Sequence, residues 1–225
     1  MYINAGRLYQ DAVQIASTIQ SPPSSLQARR ESLASILFAT MSLEAFINEL
    51  HHIALEFASA TSAPVQLRVL GDLLEEAERS RASIASKYQL AKFILSSQPF
   101  DKGASPYQDF ALLFDVRNLI VHTKPLEAKL RKDSSGKVVW VEPKIMVRLQ
   151  NINVLEVTDY LKGSTPEAGE LISDLVAEIS TQQIALWACR TAVRIVEVIL
   201  NAIPVEFAAI TNTFYRKQFS TTTQP

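Results

Sequence analysis

Between residues 26 and 63 the chain contains neither proline nor glycine. Along that run apolar or small side chains recur at Leu33, Ile36, Leu37, Thr40, Leu43, Ile47, Leu50, Ala54 and Phe57. Steps of three and four are the period of one helix face, not the alternation of a strand, so a long amphipathic helix is expected. Glycine is scarce elsewhere too. Of the six glycines, Gly103, Gly136, Gly163 and Gly169 fall in stretches that read as breaks. This suits a chain of long helices, because a glycine inside a helix costs about 1 kcal/mol relative to alanine. The expected fold class is mainly α.

The remaining elements follow from local signals. Residues 2–20 predict a first helix, ended by Ser21-Pro22-Pro23-Ser24-Ser25. Pro64 restarts the chain, and 65–97 predicts one or two helices, with Asp72, Glu75, Glu76 and Glu78 on a solvated face. Ser105, Pro106 and Gln108 have the order of a capping box around a first-position proline. The helix they open carries Phe110, Leu113, Phe114, Ile120 and Val121, and Pro125 should end it near His122 or Thr123. Residues 126–132 and 137–142 flank Asp133-Ser134-Ser135-Gly136 and predict a β-hairpin. Residues 145–149 suggest a third extended piece. Asn153 and Glu156 offer a cap for a short helix to Gly163. Thr165-Pro166 opens a last helical region, broken near Ser180, that runs to a stop at Pro204. The expected organisation is one helical domain over 1–219, a hairpin insertion over 126–151, and a disordered tail over 220–225.

In that last region Gln183, Arg190, Arg194, Glu197 and Asn201 form one narrow polar stripe, and the other sides are apolar. Such a helix is either central to its own fold or shared with a second subunit, and a homodimer is the expectation it raises.

Charge and composition exclude more than they assign. A net charge of −1 offers no overall attraction to nucleic acid or membrane. The single cysteine, Cys189, rules out an internal disulfide and fits a reducing compartment. The start Met1-Tyr2-Ile3-Asn4-Ala5-Gly6-Arg7 lacks the basic and apolar pattern of a signal peptide. The apolar stretch 33–43 is interrupted by Ser35, Thr40 and Ser42 and reads as too short and polar for a bilayer. A cytoplasmic protein without membrane contact is expected. His-x-x-x-His, Cys-x-x-Cys, glycine-rich phosphate loops and Gly-x-Ser-x-Gly are all missing, so neither metal nor cofactor is expected.

The chemistry concentrates in Arg117-Asn118-Leu119-Ile120-Val121-His122. Arg117 stands seven residues after Phe110, in line with the apolar stripe, where a guanidinium needs a counter-charge or a solvated cleft. Glu44, at the border of the long helix's seam, is the carboxylate to pair with it, with Asn48 on the same side. Arg117 and His122 stand roughly 140° apart around a regular helix. Within one helix they do not converge, whereas a two-fold dimer can bring them together. Asn118 and His122 share a face, so the amide can orient the imidazole.

Arg117-Asn118-x-x-x-His122, closing a helix before Pro125, resembles the Arg-polar-x-x-x-His motif of HEPN domains. Ser42-Leu43-Glu44-Ala45-Phe46-Ile47-Asn48-Glu49-Leu50 resembles a phrase on an earlier helix of bacterial HEPN-like proteins, and the Trp187-Ala188-Cys189 helix is similar to their last one. The resemblance implies a helical bundle, usually dimeric, from toxin–antitoxin, defence and stress systems, many of whose members are metal-independent endoribonucleases. It implies that His122 moves a proton at the ribose 2′-OH or the leaving oxygen. Arg117 would hold the phosphate, with Asn118, Glu44 and Asn48 in support. Where some members carry a modified tyrosine two residues after the histidine, this chain has Lys124. The insertion is locally basic, and Lys124, Lys129, Arg131 and Lys132 are candidate contacts to an RNA backbone. A solvated hairpin face is the plainer reading of the same residues. Two functional readings stay open: a dimeric endoribonuclease, and a non-catalytic binding or assembly module with an antitoxin or defence partner.

Overall fold

The computed structural model describes residues 4–19, 25–58, 64–122, 129–132, 138–141, 143–155 and 176–220. Its helices are α1 (Ala5–Thr18), α2 (Leu26–Ala58), α3 (Val65–Arg79), α4 (Ile84–Ser96), α5 (Tyr107–Val121), α6 (Lys144–Asn151), α7 (Gln182–Leu200) and α8 (Val205–Thr211). A π-helical turn, Asn212–Arg216, follows α8.

Small side chains set the first packing step. Ala5, Ala12 and Ala16 of α1 are buried, as are Ala28, Ser32, Ser35, Ala39 and Ser42 of α2. Such short side chains let two antiparallel backbones approach closely, and the Ser35 hydroxyl donates across the gap to the Ala12 carbonyl at 2.8 Å. Ser32, Thr40 and Ser42 donate to carbonyls of their own helix, at Ala28, Leu37 and Ala39. The hydroxyls that make this run look too polar for a bilayer are thus satisfied inside the protein. Against the sequence expectation, α2 reaches the length and mean hydropathy of a membrane span, 1.3 in its most apolar window. Over half of that window, 56%, is buried inside the fold.

Two faces of α2 are covered. Ile36, Leu43, Ile47, Leu50 and Ala54 form the seam expected from the sequence, and Phe46, Glu49 and Ile53 continue the small-residue stripe. α7 packs against both α1 and α2. The Thr181 hydroxyl oxygen caps α7 by accepting from the Ile184 amide at 3.2 Å. Only its polar stripe, Gln183, Arg190, Arg194, Glu197 and Asn201, is well exposed. Of the two explanations for its apolar circumference, the first suffices, because the helix is central to its own chain.

Several local expectations are corrected. Ser105 does not cap α5. The helix begins at Tyr107, the Gln108 amide donates instead to the Ala104 carbonyl at 3.0 Å, and the Ser105 hydroxyl bonds Asp109 at 2.7 Å. Residues 145–149 are helical, not extended. Pro143 precedes α6, and Met146 and Leu149 are its buried residues, three apart as in a helix. Asn153 has φ 56° in the turn that closes α6, so it does not open a helix with Glu156. The rest of that expected helix, to Gly163, lies outside the described residues.

Lys129–Lys132 and Val138–Val141 pair antiparallel, Lys129 opposite Val141 and Lys132 opposite Val138. The loop proposed between them, at 133–136, lies outside the described residues. The helical region stops before Pro204 as expected, since α7 ends at Leu200, and Pro204 then opens a further helix, its carbonyl accepting from the Phe207 and Ala208 amides. The turn beyond brings Tyr215 and Phe219 back onto Phe46, and Phe219 stacks on Tyr9 with centroids 4.8 Å apart. Residues 221–225, most of the expected tail, lie outside the description.

Candidate functional site

The inward face of α5 consists of Phe110, Leu113 and Val116, all fully buried, with Tyr107 and Leu112 beside them. Phe110 packs on Tyr88 of α4 at 4.8 Å, and the Tyr88 hydroxyl donates to the Leu43 carbonyl at 3.0 Å. Burial pushes the Tyr88 phenol well above its ordinary pKa, so it stays a neutral donor. This anchor fixes α4 and α5 beside residue 44. Arg117, one residue past Val116, emerges at the rim of the packed face, not in its middle. Its side chain is 29% exposed, and its Nη2 lies 3.7 Å from Glu44 Oε1, whose side chain is 34% exposed. A pair this open and this long contributes at most about 1 kcal/mol.

Asn118 is exposed, and its amide oxygen accepts from Arg117 Nη1 at 3.1 Å. The Asn118 amide oxygen thus steadies the guanidinium, and among the described residues no hydrogen bond joins Asn118 to the His122 ring. His122 is exposed and has already left the helix, with φ −107° and ψ 93°. Its amide makes the closing bond of α5 to the Asn118 carbonyl at 2.9 Å. The structure thus brings Glu44, Arg117 and Asn118 together and places His122 at the helix end beside them in sequence.

Asn48 belongs to a second polar group that the sequence reading did not single out. Lys87 of α4 is 6% exposed, and its ammonium donates to Asn48 Oδ1 at 3.3 Å and to Glu78 of α3. The Lys87 hydrogen bond and charge hold the Glu78 carboxyl below its ordinary range. The signal was present: Lys87 sits four and eight residues before Ala91 and Leu95 on the buried row of α4. Next along α2, the His51 Nε2 is enclosed with no hydrogen-bond partner, and its ring stacks on His52 at 5.1 Å. Burial, and then the His52 charge, lower the His51 pKa.

Of the basic insertion, the backbone of Lys129, Arg131 and Lys132 forms the first strand, and Lys124 lies outside the described residues. Arg148 on α6 is bound to Asp115 at 2.6 Å, which removes it from any free basic surface. A cleft of about 240 Å³, lined by Gln108, Asp109, Leu112, Arg148, Asn151 and Ile152, opens near the start of α5, at the other end from His122. Cys189 is buried beside Ser35, and burial pushes its thiol up to about 11. It is not a nucleophile at neutral pH. Among the described residues no three His, Cys, Asp or Glu side chains gather as a metal site requires. Comparison with protein-family models, curated proteins and solved structures finds no match to the chain.

Proposed function

We propose that the chain is a HEPN-like, metal-independent endoribonuclease, with Arg117 and His122 from two subunits forming each active site of a homodimer. The observation that carries this reading is the state of Arg117. Its guanidinium is held at a rim by Glu44 and Asn118, yet it is more than a quarter exposed and lies 3.7 Å from the carboxylate. A tight charge-assisted bond measures about 2.7–2.9 Å, so this guanidinium is aimed without being clamped. It can exchange Glu44 for a phosphate while Asn118 keeps its plane. His122 is solvent-accessible at the free end of the same helix, next to Val121, which is 47% exposed and gives a second copy an apolar contact.

The chemistry is a transesterification. The ribose O2′ forms a bond to phosphorus as the P–O5′ bond breaks, leaving a 2′,3′-cyclic phosphate and a 5′-hydroxyl. His122 takes the 2′-OH proton or supplies one to O5′, and Arg117 stabilises the charge that builds on the phosphoryl oxygens. Lys124, Lys129, Arg131 and Lys132, on a β-hairpin insertion, would bind the RNA backbone in a salt-dependent way. A toxin–antitoxin or defence role in the cytoplasm, with a partner protein, completes the reading.

The test is incubation of the purified chain with single-stranded RNA in EDTA. Cyclic-phosphate ends are expected, and His122→Ala should lower the rate by about 100-fold or more. No cleavage, or cleavage unchanged by His122→Ala, contradicts the proposal. The rival reading, a non-catalytic assembly module, draws on the Arg117–Glu44 pair that ties α5 to α2. In it Arg117→Ala lowers the melting temperature and His122→Ala changes nothing.

A further inference from the structure

We propose that His51 makes the packing of α3 against α2 acid-labile, so that lowering the pH from about 7.5 to about 5.5 opens this edge of the bundle. The argument begins with the ring's surroundings. The His51 Nε2 is enclosed and has no partner. A neutral ring tolerates this as an idle acceptor, whereas a protonated ring would place an N–H there with nothing to accept it.

The neighbouring charges pull both ways: His52 and Lys87 oppose a proton on the ring, whereas Glu75 and Glu78 favour one. On α2 itself the ring faces His52, on α3 it faces Glu75 and Glu78, and on α4 it faces the buried Lys87 ammonium. Both carboxylates are already engaged, Glu75 with Arg79 at 2.6 Å and Glu78 with Lys87. A third cation at His51 therefore has little uncommitted counter-charge, and it sits near an ammonium that is almost fully withdrawn from water. Burial depresses the His51 pKa in the closed state. The sign follows: the open state binds the proton more readily, so closed packing is unaffected above the ordinary histidine pKa and weakens as pH falls below it.

α3 is suited to yield first. Its buried face is narrow, consisting of Leu67, Leu70, Gly71 and Leu74. It seats on α2 at Gly71, where a Cβ would meet Leu55 Cδ2 at 2.9 Å, one turn beyond His51. Elements with few buried contacts open at a lower free energy than the global transition. Opening takes Glu78 of α3 away from the Lys87 ammonium, whose other partner is Asn48, one turn along α2 from Glu44. This inference does not depend on ribonuclease activity.

Hydrogen exchange of the full chain, corrected for intrinsic rates, tests it. Between pH 7.5 and 5.5, protection across Val65–Arg79 is expected to fall severalfold, towards the ceiling of about tenfold that one histidine of ordinary pKa allows, while that of Gln182–Leu200 holds. His51→Asn should remove the pH effect, His52→Asn should only weaken it, and His122→Asn should keep it. Equal protection of α3 at both pH values overturns the proposal, as does a fall that persists in His51→Asn. Should that variant not fold, the wild-type His51 ring is titrated by NMR. α3 amide shifts must then follow the same midpoint, and a different midpoint overturns the proposal.

Discussion

Glu49 is a carboxylate inside the bundle, 7% exposed, and each of its oxygens is used. Oε1 accepts from the backbone amides of Asn4 at 2.6 Å and Ala5 at 2.9 Å, and Oε2 accepts from the Tyr215 hydroxyl at 3.0 Å. The first two are orphan donors at the start of α1, the positive end of its dipole, so a buried anion is well placed there. Burial and the Glu49 charge push the Tyr215 phenol far above its ordinary pKa, which keeps it a donor. One side chain thus joins the beginning of the described fold, the middle of α2 and the turn after α8. Glu49→Ala leaves three donors without their acceptor, two of them buried, and urea denaturation should show a loss of about 2 kcal/mol or more. Glu49→Gln keeps one acceptor oxygen but adds an amide N–H₂ where donors already converge, so it should lie between the two. Arg117 stands in contrast. Its neighbours hold it loosely, so its removal should affect stability far less than Glu49→Ala.

At the scale of elements, α7 is the most consequential single helix, because it is buried nearly all round by its own chain. Ile195 is fully buried, and Ile195→Ala should cost about 2–5 kcal/mol in the same assay, while Arg194→Ala on the exposed stripe should be nearly neutral. Both helices with strong periodicity, α2 and α7, are legible in the sequence for the same reason: a face that must be buried writes its period into the chain. What escaped had a misleading local pattern. Ile145, Val147 and Leu149 alternate as a strand would, yet Met146 and Leu149 do the packing in α6. Pro204 reads as a stop, and α7 does end before it, but proline also suits a helix start, and α8, which begins there, went unread. In the candidate site, the closeness of Glu44 to Arg117 is readable from the border position of Glu44 on the seam. For the Asn48–Lys87–Glu78 group only the burial of Lys87 is readable, from its row on α4; its partners depend on how α3 and α4 fold back against α2, which no periodicity on one helix encodes.

For the whole molecule, α7 no longer argues for a dimer, since its apolar surface is covered within one chain. The proposed dimer now rests on the separate placement of Arg117, held at the rim of α5 by Glu44 and Asn118, and of His122, exposed just beyond the helix end. That places the proposed interface at the far end of α5, and it makes the claim sharp enough to test directly. Arg117→Ala and His122→Ala proteins, each inactive alone, are mixed, allowed to exchange subunits, and assayed on single-stranded RNA in EDTA. In a two-fold dimer with composite sites, each mixed dimer regains one intact site of two. With half of the dimers mixed, activity should recover to about a quarter of wild type. A mixture as inactive as either parent would contradict the shared site and, with it, the account of how this chain acts.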